Sequence, residues 1–175
     1  MMSVILPYNN KTPEIDENAY VSEGVVITGD VIIGAESNIW FGSVIRGDVS
    51  DVRIGLRTNI QDGSVIHVTR GMKGTHIGND VTVGHQVLLH ACQIGNRAFV
   101  GMKACVMDGA VVEDEAMVAA GSLVTPNKVI PKHQLWGGSP ARYMRDMTED
   151  EINFLKKSAD NYVRLGKEYR AQQGK

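Results

Sequence analysis

Aromatic side chains make up only 6% of this 175-residue chain, and its two cysteines do not form a CxxC pair. Too few rings are present to fill a conventional core, and the thiols support neither a disulfide framework nor a cysteine-based zinc knuckle. No stretch approaches the roughly 20 apolar residues that a membrane-spanning helix needs. Neither sign of charge dominates: a net charge of -2 gives no electrostatic reason to expect nucleic acid or an anionic membrane as partner. The opening MMSVILPYNNK has no basic segment and its apolar run stops at Pro7, so no signal peptide is expected. With 43% hydrophobic and 22% charged residues, the composition suits one soluble domain, and the cysteine usage suits a cytoplasmic setting.

What the chain does have is a period of six. Ile27, Ile33, Ile39 and Ile45 begin it, and Ile54, Ile60 and Ile66 continue it after one slip. Ile77, Val83 and Leu89 follow, then Ile94, Val100, Val106, Val112, Val118, Val124 and Ile130. Such a period fits neither the 3.6 of a helix nor simple strand alternation, and it marks a solenoid. Two places before most aliphatics stands a small or β-branched residue, Ser43, Thr58, Ala98 and Ala110 among them. Residues i and i−2 of a strand share a face, so large and small side chains alternate inward around tight corners. Three hexads close a triangular coil, and successive coils lie about 4.8 Å apart, the strand-pairing distance. Cys92 occupies a small corner position; Cys105 has no basic partner nearby in the sequence and is assigned no role.

The rhythm slips at three points: three extra residues before Ile54, five extra in HVTRGMKGTH (67–76), and one missing between Leu89 and Ile94. From Ile94 to Ile130 it is unbroken, which predicts bare scaffold. The solenoid is expected over residues 1–140 and a C-terminal region over 141–175. There Thr148-Glu149-Asp150-Glu151 reads as a capping box. Ile152, Leu155, Ala159, Tyr162, Gly166 and Tyr169 then recur at helical spacing, predicting one amphipathic helix lying on the prism.

Phase places polar residues as well. The hexads of Ile45, Ile66, Leu89 and Val106 are three apart and fall on one face, carrying Arg46, His67, His90 and Met107 just after the aliphatic. His67 and His90 therefore stand one above the other, close enough to share an ion whose bonds to imidazole run to about 2.0–2.1 Å. His85 belongs to the preceding face, with Gln61 below it. It converges on the pair only if a second prism packs alongside, the His85 face of one against the His67 face of another. Heterologous contact of this kind closes rings, and a three-sided prism suggests a homotrimer with its sites at the interfaces. His76 and His133 lack such support and are taken as non-ligands. Arg46 and Asp48 are expected to fix interface register, with Asp62 as the second carboxylate for Arg46 and Trp40 as interface filler.

On the strings WFGSVIRGDV, IGLRTNIQDGSVIHV, IGNDVTVGHQVLLHACQIGNRAFVGM and SADNYVRLGKEY, the chain resembles the gamma-class carbonic anhydrase-like family, YrdA-type members in particular. These are left-handed parallel β-helix proteins, and the hand comes from the resemblance, not from the period. The resemblance implies a divalent metal, most often Zn2+ with Fe2+ or Co2+ as alternatives. Its ligands would be His67 and His90 of one subunit and His85 of a neighbour. It further implies that Gln61, supported by Asn59, orients the hydroxide that attacks carbon dioxide to give bicarbonate. Arg46, Asp48 and Asp62 would form the interface network, and Tyr162 would bring a phenol near the site.

One departure stands out. The family archetype carries an acidic loop whose glutamate moves protons to solvent, whereas HVTRGMKGTH holds no carboxylate. Hydration cannot outrun removal of the proton, so turnover is expected to be slow unless buffer or His76 substitutes. Two other functions remain open at this point: a metal-binding protein without turnover, and a hexapeptide-type acyltransferase using an interface histidine as base.

Overall fold

A computed structural model describes residues 2–172. The chain winds as a parallel, left-handed β-helix of about 7 turns followed by one helix. The aliphatic series points inward: Ile27, Ile39, Ile45, Ile60, Ile66, Leu89 and Val100 are all 0% exposed. The small positions fill the corners between them. Where these are Ser or Thr, the hydroxyl bridges coils: Ser43 donates to the Gln61 carbonyl (3.0 Å) and Ser64 to that of Gly84 (3.0 Å). Cys92 is one such filler, and burial pushes its thiol up to about 12, which leaves it inert.

Three faces result. The first stacks Val26–Ile33, Val44–Ile54, Val65–His67, Leu88–His90, Cys105–Val106 and Leu123–Val124. The two long strands do not stop at the corner; they run on to the second face, where Thr75–Ile77, Gln93–Ile94 and Val111–Val112 continue the ladder. Gly29 and Gly47 make this continuation possible: a Cβ on Gly29 would lie 2.2 Å from the Gly47 carbonyl oxygen, and one on Gly47 would lie 2.4 Å from that of Asp30. The three extra residues before Ile54 are therefore strand, with a register shift opposite Gly29/Val31. The five extra residues form the loop 68–74. The missing one leaves Ala91 at φ 45° in a tightened corner.

The third face stacks Asn38–Ile39, Asn59–Ile60, Thr82–Val83, Phe99–Val100 and Met117–Val118 and ends in an antiparallel hairpin, Gln134–Gly138 with Ala141–Asp146. The sequence reading ends the solenoid at residue 140, which lies in the turn of this hairpin. The helix Glu149–Gln172 lies on this face and buries Leu155, Ser158, Ala159, Val163 and Gly166. Its capping box closes as expected: the Thr148 amide donates to Glu151 Oε2 (2.9 Å) and the Glu151 amide to Thr148 Oγ1 (3.3 Å). Among the described residues no helix is long and apolar enough to cross a membrane.

Covering the third face corrects two expectations. The flat of that face is not available to a second prism, because the chain's own helix occupies it, whereas His85 in the corner turn beside it stays exposed. Trp40 is not interface filler either: it is 4% exposed, donates to Asn38 Oδ1 (2.7 Å), and sits among Tyr20, Phe41, Tyr162 and Tyr169 with ring centroids 5.2–6.2 Å away. The scarce aromatics are concentrated where helix meets prism.

Corner residues with positive φ (Glu36, Arg57, Asp80, Arg97, Glu115 and His133) also stack, and their side chains pair along the corner. Glu115 accepts from Lys132 (2.7 Å), His133 (2.9 Å) and Arg97 (2.5 Å). Hydrogen bonding from Lys132 leads the forces that hold its carboxyl at about 2, against the opposing effect of desolvation. A depressed carboxylate stabilises the fold above its unfolded value of 4.5, and that contribution disappears as pH falls toward about 2. Glu115→Gln is therefore expected to lose about 1–2 kcal/mol at neutral pH, the modest figure reflecting half-exposed cationic partners. Urea midpoints followed against pH should show variant and wild type converging at the acid end.

Candidate functional site

In-register pairing of Val65–His67 with Leu88–His90 sets His90 directly on His67. Their ring centroids are 5.1 Å apart, and His67 Nδ1 lies 3.1 Å from His90 Nε2. The remaining nitrogen of each ring meets a carboxylate: His67 Nε2 donates to Asp48 Oδ1 (3.1 Å) and His90 Nδ1 to Asp108 Oδ1 (2.6 Å). Asp48 is also bound by the Arg46 guanidinium, and Asp108 by the Thr69 hydroxyl (2.6 Å). Desolvation raises the Asp48 carboxyl, but hydrogen bonds from Arg46 and His67 outweigh it and hold the group below the ordinary range. The Thr69 hydrogen bond does most to lower Asp108. Both are therefore ionised at neutral pH and can only accept. One nitrogen of each ring is thus engaged by a carboxylate, and the other two nitrogens face one another at 3.1 Å.

The second group of predicted residues lies around the next corner. Gln61 Nε2 donates to Asn59 Oδ1 (3.0 Å), and Asn59 Nδ2 donates to Thr82 Oγ1 (2.9 Å) and to the Val81 carbonyl (3.2 Å). Thr82 in turn meets Ser158 of the helix (2.8 Å). Asn59 is wholly buried and Gln61 is 6% exposed. His85 stands in the corner turn with its side chain 44% exposed, its Nδ1 2.8 Å from Asp62 Oδ2. A cavity of about 480 Å³ between sheet and helix is lined by Gln61, His85 and Tyr162 together with apolar Phe99, Met102 and Phe154. Burial, and secondarily the Asp62 charge, pushes the Tyr162 phenol up.

A family profile described as bacterial transferase hexapeptide (six repeats) matches residues 12–47. The chain is 44% identical over 95% of its length to "Gamma carbonic anhydrase 1, mitochondrial" of Arabidopsis thaliana, of which it spans 62%. It is 45% identical over 97% of its length to "Protein YrdA" of Escherichia coli strain K12, covering 95% of that protein. To the "Carbonic anhydrase" of Geobacillus kaustophilus strain HTA426 it is 44% identical over 97% of its length, covering 93%. The chain belongs to the gamma carbonic anhydrase family.

Membership in the gamma carbonic anhydrase family raises the question of a metal, and the donor set fits one. Two imidazole nitrogens 3.1 Å apart on one face are close enough to share a cation, and carboxylates on the far nitrogens are the usual outer partners of metal-binding histidines. A single chain does not complete such a centre: among the described residues no group of three or more His, Cys, Asp or Glu is arranged to hold a metal ion. His85 and the His67/His90 pair are on different sides of a corner. Among the described residues Arg46 pairs with Asp48, while Asp62 pairs with His85. His76 sits on the second face, bound to Asp51 (2.7 Å), so it does not adjoin the pair as a substitute proton carrier. His133 is held by Glu115.

Two residues escaped the sequence reading, Asp108 and Thr69. Asp108 lies in the unbroken stretch expected to be scaffold, exactly one 18-residue interval past His90, and that interval was the available signal. The Asn59 thread also yields a test. Asn59→Ala removes the carbonyl that holds Gln61 and leaves the Gln61 NH2 group without that partner in the interior, while Thr82 keeps Ser158 and the Val81 carbonyl keeps the residue-59 backbone amide. It should cost about 1–3 kcal/mol in chemical denaturation, while the conservative exposed change Lys156→Arg should leave the midpoint unmoved.

Proposed function

We propose that this protein is a metal-dependent lyase that hydrates carbon dioxide reversibly to bicarbonate. It works as a homotrimer in which His67 and His90 of one copy and His85 of a neighbour hold a divalent ion, Zn2+ first and Fe2+ or Co2+ as alternatives. The observation that carries the reading is the pair of ring nitrogens turned toward each other at 3.1 Å on one face, each ring anchored behind by a carboxylate. When bound, such an ion would lower the pKa of a coordinated water to about 7.

The chain's own residues supply the rest. Asp48 and Arg46 fix the His67 ring. Asn59 holds the Gln61 amide by its NH2 end, leaving the carbonyl end to accept from a hydroxyl and orient it. The apolar lining beside Gln61 (Phe99, Met102, Phe154) suits an uncharged, weakly solvated gas. Assembly is favoured by the first face itself, where Val26, Val44, Val65, Leu88, Cys105 and Leu123 form an outward stripe, one per coil, with no covering element among the described residues. A cytoplasmic setting agrees with both cysteines being free.

The loop 68–74 exposes Arg70 and Lys73 but offers no carboxylate to carry protons away. The hydration rate should therefore rise with buffer concentration and vanish in His90→Ala, measured alongside metal content. Trimers are expected to bind the ion, and His85→Ala should lower affinity by an order of magnitude or more. Full affinity in isolated monomers would contradict the shared centre. Metal retained without hydration in any buffer would favour a binding protein without turnover. A chain that binds no metal but transfers an acyl group would favour the hexapeptide acyltransferase.

A further inference from the structure

We infer that Asp108, braced by Thr69, is a positioning residue that fixes the tautomer of His90 and so decides which ring nitrogen is offered to the ion. The inference deepens the metal reading above and rests on it. Asp108 stands in the turn after Cys105–Val106, one coil past His90, followed by Gly109 at φ +70°. Its two oxygens are divided between two donors at equal distance: Oδ1 takes the His90 Nδ1 proton (2.6 Å) and Oδ2 the Thr69 hydroxyl (2.6 Å). A carboxylate held at both oxygens cannot rotate freely, so the direction from which it meets the imidazole is set. The group is 25% exposed and His90 27%, so water competes only in part.

Thr69 opens the 68–74 loop, whereas Asp108 belongs to the regular repeat. The bond between them joins the loop to the coil at the ring it serves. The arrangement parallels that of the other histidine, where Asp48 divides its oxygens between His67 and Arg46. The two rings differ in which nitrogen is turned inward, Nδ1 for His67 and Nε2 for His90. That difference is what brings both lone pairs to one point. Were His90 to move its proton to Nε2, it would aim an N–H where a lone pair is required.

The test uses the full-length protein, with nitrogen-15 NMR of the His90 ring in the metal-free state and zinc titration against a chromophoric chelator. Wild type should show the Nδ1–H form. Asp108→Ala should lose it and bind zinc about 10–100-fold more weakly, with an altered visible spectrum after Co2+ loading. Asp108→Asn keeps an acceptor oxygen and should restore the tautomer and part of the affinity. Thr69→Val should fall between wild type and Asp108→Ala. Circular dichroism of each variant establishes that it is folded, and the Asn variant carries the test should the Ala variant not fold. Wild-type zinc binding with an unchanged tautomer and an affinity within twofold in Asp108→Ala overturns this inference alone. Failure of wild type to bind zinc overturns the metal reading, and this inference with it.

Discussion

Every feature of this molecule depends on parallel coils stacking in strict register at the strand-pairing distance of about 4.8 Å. The ladder makes the core a column of identical aliphatic positions, and it aligns whatever side chains occupy the same outward position in successive turns. His67 and His90 are 23 residues apart in sequence and adjacent in space for that reason alone. The same rule stacks the charged corner of Glu36, Arg57, Asp80, Arg97 and Glu115, where side chains offset the strain of left-handed backbone with ion pairs. Chemistry and stability here have one geometric source.

Because the repeat is a ruler, much of the architecture could be read from the sequence. The inward aliphatics, the corner fillers, the capping box and the stacked histidines all follow from counting. What counting missed involves contacts that have no period. The helix pattern announced an apolar stripe without naming the face it covers. Only packing against Trp40, Tyr20 and Asn38 reveals that it takes the third face. Gly29 and Gly47 are the places where two backbones pass too closely for a Cβ, a contact that has no period. Asp108 sat in plain repeat and gave no irregularity to notice.

The candidate residues divide between two sides of a corner. Arg46, Asp48, His67, His90, Thr69 and Asp108 belong to one face. Asn59, Gln61, Asp62, His85 and Tyr162 belong to the next corner and the helix. One half carries paired imidazoles fixed from behind, and the other an amide held from within beside an apolar hollow. Relatives named as carbonic anhydrases are 44% identical to this chain over 95% and 97% of its length. The loop 68–74 sets it apart from the family archetype, for it meets the site through a hydroxyl, that of Thr69, and contributes no acidic group.

The run of hydrogen bonds from Ser158 through Thr82 and Asn59 to Gln61 joins an exterior element to an interior one. Its links are neutral, so acid and salt leave it intact while loosening the ionic corners. The seating of the C-terminal segment is thereby mechanically coupled to the pose of a single amide three residues' contacts away. A chain trimmed before Ser158 would lose the strut that braces Asn59 and, through it, Gln61.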